Sequence, residues 1–195
     1  VEENREILDI VKRFMKEMKI EPYDELSHKG LVRHVLIRKG FKTGEIMVCL
    51  VINGNKLPGK ERLVEMLTGG DGVKGMTSIS YSVNQEKTNV IMGKEIVNLY
   101  GPGYITDYIG NVKYQISPLS FYQVNPVQTE ILYKTAIEYA GLGRKETVID
   151  AYCGIGTIGL VAAKRAKNVI GVELNPDAVR DARINAKENK ITNAR

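Results

Sequence analysis

Apolar residues recur at helical spacing through 4–19, where Ile7, Ile10, Val11, Phe14, Met15 and Met18 fall on one face. A polar loop follows at 21–30. The pattern then changes to β-rich runs at 31–39 and 44–53, separated by the tetrapeptide GFKT, which predicts a hairpin. Residues 58–70 return to helical spacing, with Pro58 near the start, Leu63, Met66 and Leu67 on one face and Gly69 at the end. Residues 73–84 alternate as a strand does, and EIVNLYG follows. Residues 104–118 read as a second hairpin, turning at Gly110-Asn111. About five or six strands and one helix therefore fill 20–118.

After Pro118 the grammar is different. A helix is expected over 126–142, with Asn125 as its cap, Pro126 in its first turn and Gly141 at its end. Strands at 146–152 and 168–175 alternate with helices at 156–166 and 176–190, the second capped by Asn175 ahead of Pro176. Strand, helix, strand, helix at these lengths predicts a parallel sheet. The fold class is thus α/β: a mixed α+β central domain with antiparallel strands over 1–118, then a Rossmann-like domain over 119–195. Two strands are few for a parallel sheet, so the chain is expected to be a piece of a longer protein.

Composition narrows the function classes. The apolar runs fall short of the ~20 residues of a membrane helix, and the charged N-terminal stretch is unlike a signal peptide. Two cysteines, Cys49 and Cys153, exclude a disulfide scaffold and fit a cytoplasmic protein. A net charge of +5 permits an acidic partner such as RNA without demonstrating one.

The chemistry concentrates in IDAYCGIGTIGL, residues 149–160, where Gly154, Gly156 and Gly159 have the spacing G-x-G-x-x-G. Such a loop opens a helix onto a pyrophosphate in dinucleotide sites, with an acidic residue about 20 positions on. Glu173, 19 residues after Gly154, would serve. Asp150, however, closes the preceding strand four residues before Gly154, where a carboxylate repels an anion. It suits a cationic, phosphate-free ligand. S-adenosylmethionine is one, and Glu173 can accept from its ribose hydroxyls. The alternatives are a nicotinamide-dependent oxidoreductase, a non-catalytic RNA-binding module, and glycines that only pack helix on strand.

Residues 116–133, ISPLSFYQVNPVQTEILY, contain F-x-Q-V-N-x-x-Q, and DAYCGIGTIGL and GVELNPDAV follow it. With RHVLIR, NVIMGKE and LYGPGYITDYIGNVKYQISP upstream, the chain resembles the RNA (uracil-5-)-methyltransferase family over essentially its whole length, in particular the bacterial enzymes acting on 23S ribosomal RNA. The resemblance implies methyl transfer from S-adenosylmethionine to C5 of a uridine in RNA, ribosomal RNA first and transfer RNA as the alternative. It implies that Gln123 contacts the cofactor, that Tyr152 lies beside the adenosine, that Glu173 binds the ribose, and that Thr157 touches the ligand with Asp150, Gly154 and Gly156. Phe121 matches an aromatic near the flipped base. The nucleophilic cysteine, in a cysteine-asparagine-proline motif, and the general base are expected beyond residue 195, so the piece itself is expected to be inactive.

Cys153 is read as a packing residue within the loop and Cys49 as core. Arg33 and Arg38, with His34, Lys39 and Lys42, are candidate RNA phosphate contacts or else solvated edge charges. His28 and His34 lack the neighbours a metal site needs. Asn84 and Asn89 read as turn residues, and Tyr100, Tyr104, Tyr108 and Tyr114 as sheet residues rather than base-stacking platforms.

Overall fold

The structure, a computed structural model, describes residues 2–195. The chain divides into two compact units, one comprising the chain up to Lys39 with Gly44–Ile105, the other Gly40–Thr43 with Thr106–Arg195.

The first unit contains α1 (Glu2–Glu17), β1 (Val32–Lys39), β2 (Ile46–Ile52), α2 (Lys60–Thr68), β3 (Met76–Val83) and β4 (Glu95–Tyr100). Its sheet has the order β1-β2-β3-β4. The expected antiparallel pairing holds for β1–β2 and β3–β4, but β2 and β3 run parallel. The reason is α2: a helix between two strands carries the chain back to the end from which it started. β2, IMVCLVI, is buried along its whole length, as its unbroken apolar run requires. The helical stripe of α1 supplies Ile7, Ile10, Val11 and Phe14 to the core. There they meet Leu63 and Leu67 of α2 and Val48, Leu50 and Ile79 of the sheet. Each large side chain so buried stabilises the unit by roughly 1.5–3 kcal/mol relative to exposure.

The second unit contains the hairpin of β5 (Ile105–Ile109) and β6 (Val112–Ile116), then α3 (Pro126–Tyr139), β7 (Thr147–Asp150), α4 (Thr157–Ala162), β8 (Asn168–Gly171) and α5 (Pro176–Glu188). The compact units thus part at 105/106, ahead of the second hairpin, whereas the change in sequence grammar falls at 118. The hairpin packs on α5 and α4 through β6, a pairing that periodicity does not reveal. β7 and β8 are parallel, as expected. Residues 193–195 continue the sheet on the far side of β8: Val169 N–H donates to Asn193 O (2.8 Å) and Gly171 N–H to Arg195 O (2.8 Å). Val169 packs with Ala162, Ala163, Ala166 and Ile137, the small residues letting α4 approach the strand closely. Both expected asparagine caps are present. Asn125 Oδ1 accepts from Gln128 N–H (3.1 Å) and Asn175 Oδ1 from Asp177 N–H (3.0 Å).

Candidate functional site

The exits of β7 and β8 lie side by side. Val172 N–H donates to Asp150 O (2.8 Å) and Cys153 N–H to Val172 O (3.1 Å), which extends the parallel ladder past both strand ends. Glu173 then reaches across to the glycine loop. Its Oε2 accepts from Gly154 N–H (3.0 Å) and its Oε1 from Asn175 N–H (2.9 Å). Hydrogen bonds from the backbone, that of Asn175 foremost, hold its pKa below the ordinary carboxylate range. Each carboxylate oxygen keeps a further acceptor position.

The three glycines of the loop meet different demands. Gly154 and Gly156 have φ of 53° and 85°, the left-handed region. A Cβ added to Gly154 would meet nothing within 4 Å, so the loop faces open space there. Gly159 is needed for proximity: a Cβ would lie 3.0 Å from Asp150 Oδ2 and 3.3 Å from Val169 Cγ1. Its N–H donates to that same Oδ2 at 3.1 Å. Burial raises the Asp150 pKa, against the hydrogen bonds that Gly159 and Tyr152 give it. Asp150, Cys153, Gly156 and Gly159 line a cavity of about 110 Å³ together with Val179 and Arg183 of α5. The two strand-end carboxylates are therefore perturbed in opposite directions, one by burial and the other by backbone donors.

Cys153 fills the space beside Gly171, with its Sγ 2.9 Å from where a Cβ would sit. Burial raises its pKa, the opposite of what a nucleophilic thiolate needs. Thr157, the first residue of α4, is tied to two tyrosines. Its hydroxyl pairs with Tyr133 OH (2.9 Å), and its carbonyl accepts from the buried Tyr114 OH (2.8 Å). Tyr152 is 92% exposed at the mouth of the loop, and Phe121 is 70% exposed on the segment between β6 and α3. Gln123, on that same segment, is half-buried.

In the first unit, the reading of Arg33 as an RNA phosphate contact is corrected. Its side chain is 2% exposed. The guanidinium lies 4.4 Å from the centroid of the Tyr23 ring and donates through Nη1 to Asn84 O (3.0 Å) and Glu86 O (2.8 Å). It anchors the 84–93 loop. Asn84, read as an ordinary turn residue, is buried and organises the same loop, donating to Val90 O (2.7 Å) and Ile91 O (3.0 Å) and accepting from Glu86 N–H (3.1 Å). Arg38 is half-buried, and burial lowers its pKa. That surrounding suits a packed guanidinium better than a solvent-facing phosphate contact. Cys49 is core, its thiol pushed up to about 11 by burial.

Sequence reasoning missed four residues of the second unit: Asp181, Asn185, Asn189 and Asn193. Asn185, fully buried, accepts from Gln115 N–H (2.8 Å) and donates to Ile155 O (3.1 Å) in the glycine loop. Asn189 accepts from Lys113 N–H (2.8 Å) and donates to Lys113 O (2.6 Å). The two amides thus serve the edge of β6 in place of a neighbouring strand. Asn193 donates to Ala163 O (2.8 Å) and Ala166 O (3.1 Å), closing the end of α4. Asp181 and Asn185 lie one turn apart on α5 and Asn189 caps its end, whereas Asn193 lies beyond the helix; local pattern alone does not tell these polar side chains from solvated ones.

Among the described residues, no cluster of three or more His, Cys, Asp or Glu could hold a metal ion, and no helix is long and apolar enough to cross a membrane. Residues 142–195 match the model of a methyltransferase domain family. A protein of Clostridium acetobutylicum named an uncharacterized RNA methyltransferase is 50% identical over 188 residues, covering 96% of this chain and 40% of its own length. Another so named, from Caldanaerobacter subterraneus subsp. tengcongensis, is 47% identical over 192 residues, 98% of this chain and 42% of its own. Among solved structures, the tRNA (uracil-54, C5)-methyltransferase of Pyrococcus abyssi, in complex with S-adenosyl-L-homocysteine, aligns with a TM-score of 0.81 and 32% identity, covering 97% of this chain and 45% of that one. The chain spans less than half the length of these relatives. It carries a methyltransferase-type α/β fold, and its relatives are RNA methyltransferases.

Proposed function

We propose that this chain supplies the cofactor loop of an S-adenosylmethionine-dependent enzyme that methylates C5 of a uridine in structured RNA. The observation that carries the reading is the pair of carboxylates at adjacent strand ends. Asp150 stands behind the glycine loop and Glu173 is bonded to its Gly154 N–H. A pyrophosphate at this loop would meet two negative charges, which weighs against the nicotinamide reading; a sulfonium with an ammonium meets favourable ones. The residues fit the donor. Gly154 faces open space, and Glu173 keeps acceptor positions for a ribose diol.

When bound, S-adenosylmethionine supplies the methyl group. In this reading Glu173 orients the ribose, Tyr152 offers an exposed ring to the adenine, and Gln123 contacts the donor from the segment after β6. Phe121 offers its exposed face to an unstacked uracil, a contact worth ~1–3 kcal/mol per base. The 32% identity to a uracil-C5 enzyme supports the choice of atom. Ribosomal RNA is the first candidate substrate and transfer RNA the second.

The test is tritium release. Methylation at C5 expels the C5 hydrogen, so the full-length protein with S-adenosylmethionine is expected to free tritium from RNA labelled at uridine C5, using ribosomal and transfer RNA in separate arms. Methyl incorporation without tritium release would place the reaction at another atom and overturn the proposal.

A further inference from the structure

The row on α5 changes character at its first member. Asn185 and Asn189 bond to backbone groups of β6, as an edge strand needs. Asp181, one turn earlier, bonds to side chains instead. Its Oδ2 accepts from both Ser117 Oγ and Ser120 Oγ at 3.2 Å. Those serines already form a closed turn: Ser120 N–H donates to Ser117 O (3.2 Å), Ser117 N–H to Ser120 Oγ (2.9 Å), and the two hydroxyls lie 2.8 Å apart. Ser120 is buried. Phe121 is the next residue and Gln123 the third. At the far end of the segment Asn125 is fixed as the cap of α3. Residues 121–124 therefore form a short span held at both ends, with Phe121 and Val124 exposed between them. α5 itself begins just after Glu173, its cap Asn175 donating to the Glu173 carboxylate (2.9 Å).

We propose that Asp181 is a positioning residue. By holding the Ser117–Ser120 turn to α5, it fixes the placement of Gln123 and Phe121 relative to Glu173, which the same helix anchors. This rests on the cofactor reading above. Asn185 and Asn189 hold the fold of β6, whereas Asp181 acts on the span beyond it. The carboxylate is the one acceptor that both hydroxyls share, and an amide oxygen in its place can still accept.

The experiment compares Asp181→Ala, Asp181→Asn and the double variant Ser117→Ala/Ser120→Ala in this chain. S-adenosylhomocysteine affinity, thermal midpoint and hydrogen exchange of a peptide covering 119–128 are measured in parallel. Loss of a hydrogen-bonded charged acceptor predicts about tenfold weaker binding for Asp181→Ala. The midpoint is expected to be nearly unchanged and exchange faster in 119–125 alone. Asp181→Asn should recover most of the affinity, and the double serine variant should reproduce the Ala result. The proposal is overturned if Asp181→Ala binds as the parent does, if Asn and Ala lose affinity equally, or if the loss tracks a falling midpoint with exchange rising throughout. A parent chain with no affinity, combined with faster exchange confined to 119–125 in Asp181→Ala, would instead overturn the cofactor reading while keeping the clamp.

Discussion

The sheets of the two units meet the same requirement by different means. Every buried backbone polar group needs a partner. In the four-stranded sheet of the first unit the partners are neighbouring strands: β2 lies between β1 and β3 along its whole length, and apolar side chains do the rest. In the second unit the strands are short and few, so side chains stand in for strands. Asn185 and Asn189 serve β6, Asn193 closes α4, and Glu173 and Asp150 accept from the glycine loop and the helix it opens. Even residues 40–43 are held this way, since the buried Asp107 carboxylate accepts from Phe41 N–H (3.0 Å) and Lys42 N–H (2.9 Å). A sheet paired by ladders over an apolar core is most sensitive to cavities in that core, and one completed by side-chain amides is most sensitive to their loss.

That contrast is sharpened first by Leu63→Ala, in the core of the first unit. A fully buried leucine there predicts a loss of about 2–5 kcal/mol in urea unfolding. Asn185→Ala comes next. It leaves Gln115 N–H and Ile155 C=O buried without partners, for about 2–4 kcal/mol in the same measurement. Asn185→Leu, of similar size, should not restore that loss. If leucine restores it, the asparagine is merely filling space and the comparison fails. The smallest effect is a titration. Glu173 has a folded pKa below its unfolded value, so its tie to Gly154 is fully present above the ordinary carboxylate pKa and is lost as pH falls through the lower folded value. Asp150 has a folded pKa above its unfolded value, so its ionisation opposes folding as pH rises through the raised value. Carboxyl NMR shifts should place the two midpoints on opposite sides of the ordinary range. Coincident midpoints would remove the distinction drawn between the strand ends.

The legibility of the sequence follows the same division. Helical and strand periods located α1, α2 and the strands of the first unit because burial there is set by local pattern. The parallel pairing of β2 with β3 was not read, since pattern shows which face is buried but not which way a neighbour runs. In the second unit the alternation of strands and helices and both asparagine caps were legible, since the caps act over three residues or fewer. The bonds from Asn185 to Gln115 and from Asn189 to Lys113 span about 70 residues and leave no local trace. Arg33 was misjudged for a related reason. A charge on a strand reads as solvated until a loop from 50 residues away is found lying over it. The motif at 154–159 was legible as glycines, but the separate demand on Gly159, the approach of Asp150, emerged only from the packing.

The central claim is that the two strand-end carboxylates select a cationic, phosphate-free donor, and calorimetric titration of this chain with S-adenosylmethionine and, separately, with NAD tests it most directly. The account predicts binding of S-adenosylmethionine alone, lost in Glu173→Ala and weakened in Asp150→Asn more than the binding of uncharged-sulfur S-adenosylhomocysteine. Equal or better binding of NAD, or an S-adenosylmethionine affinity indifferent to Glu173→Ala, would contradict it.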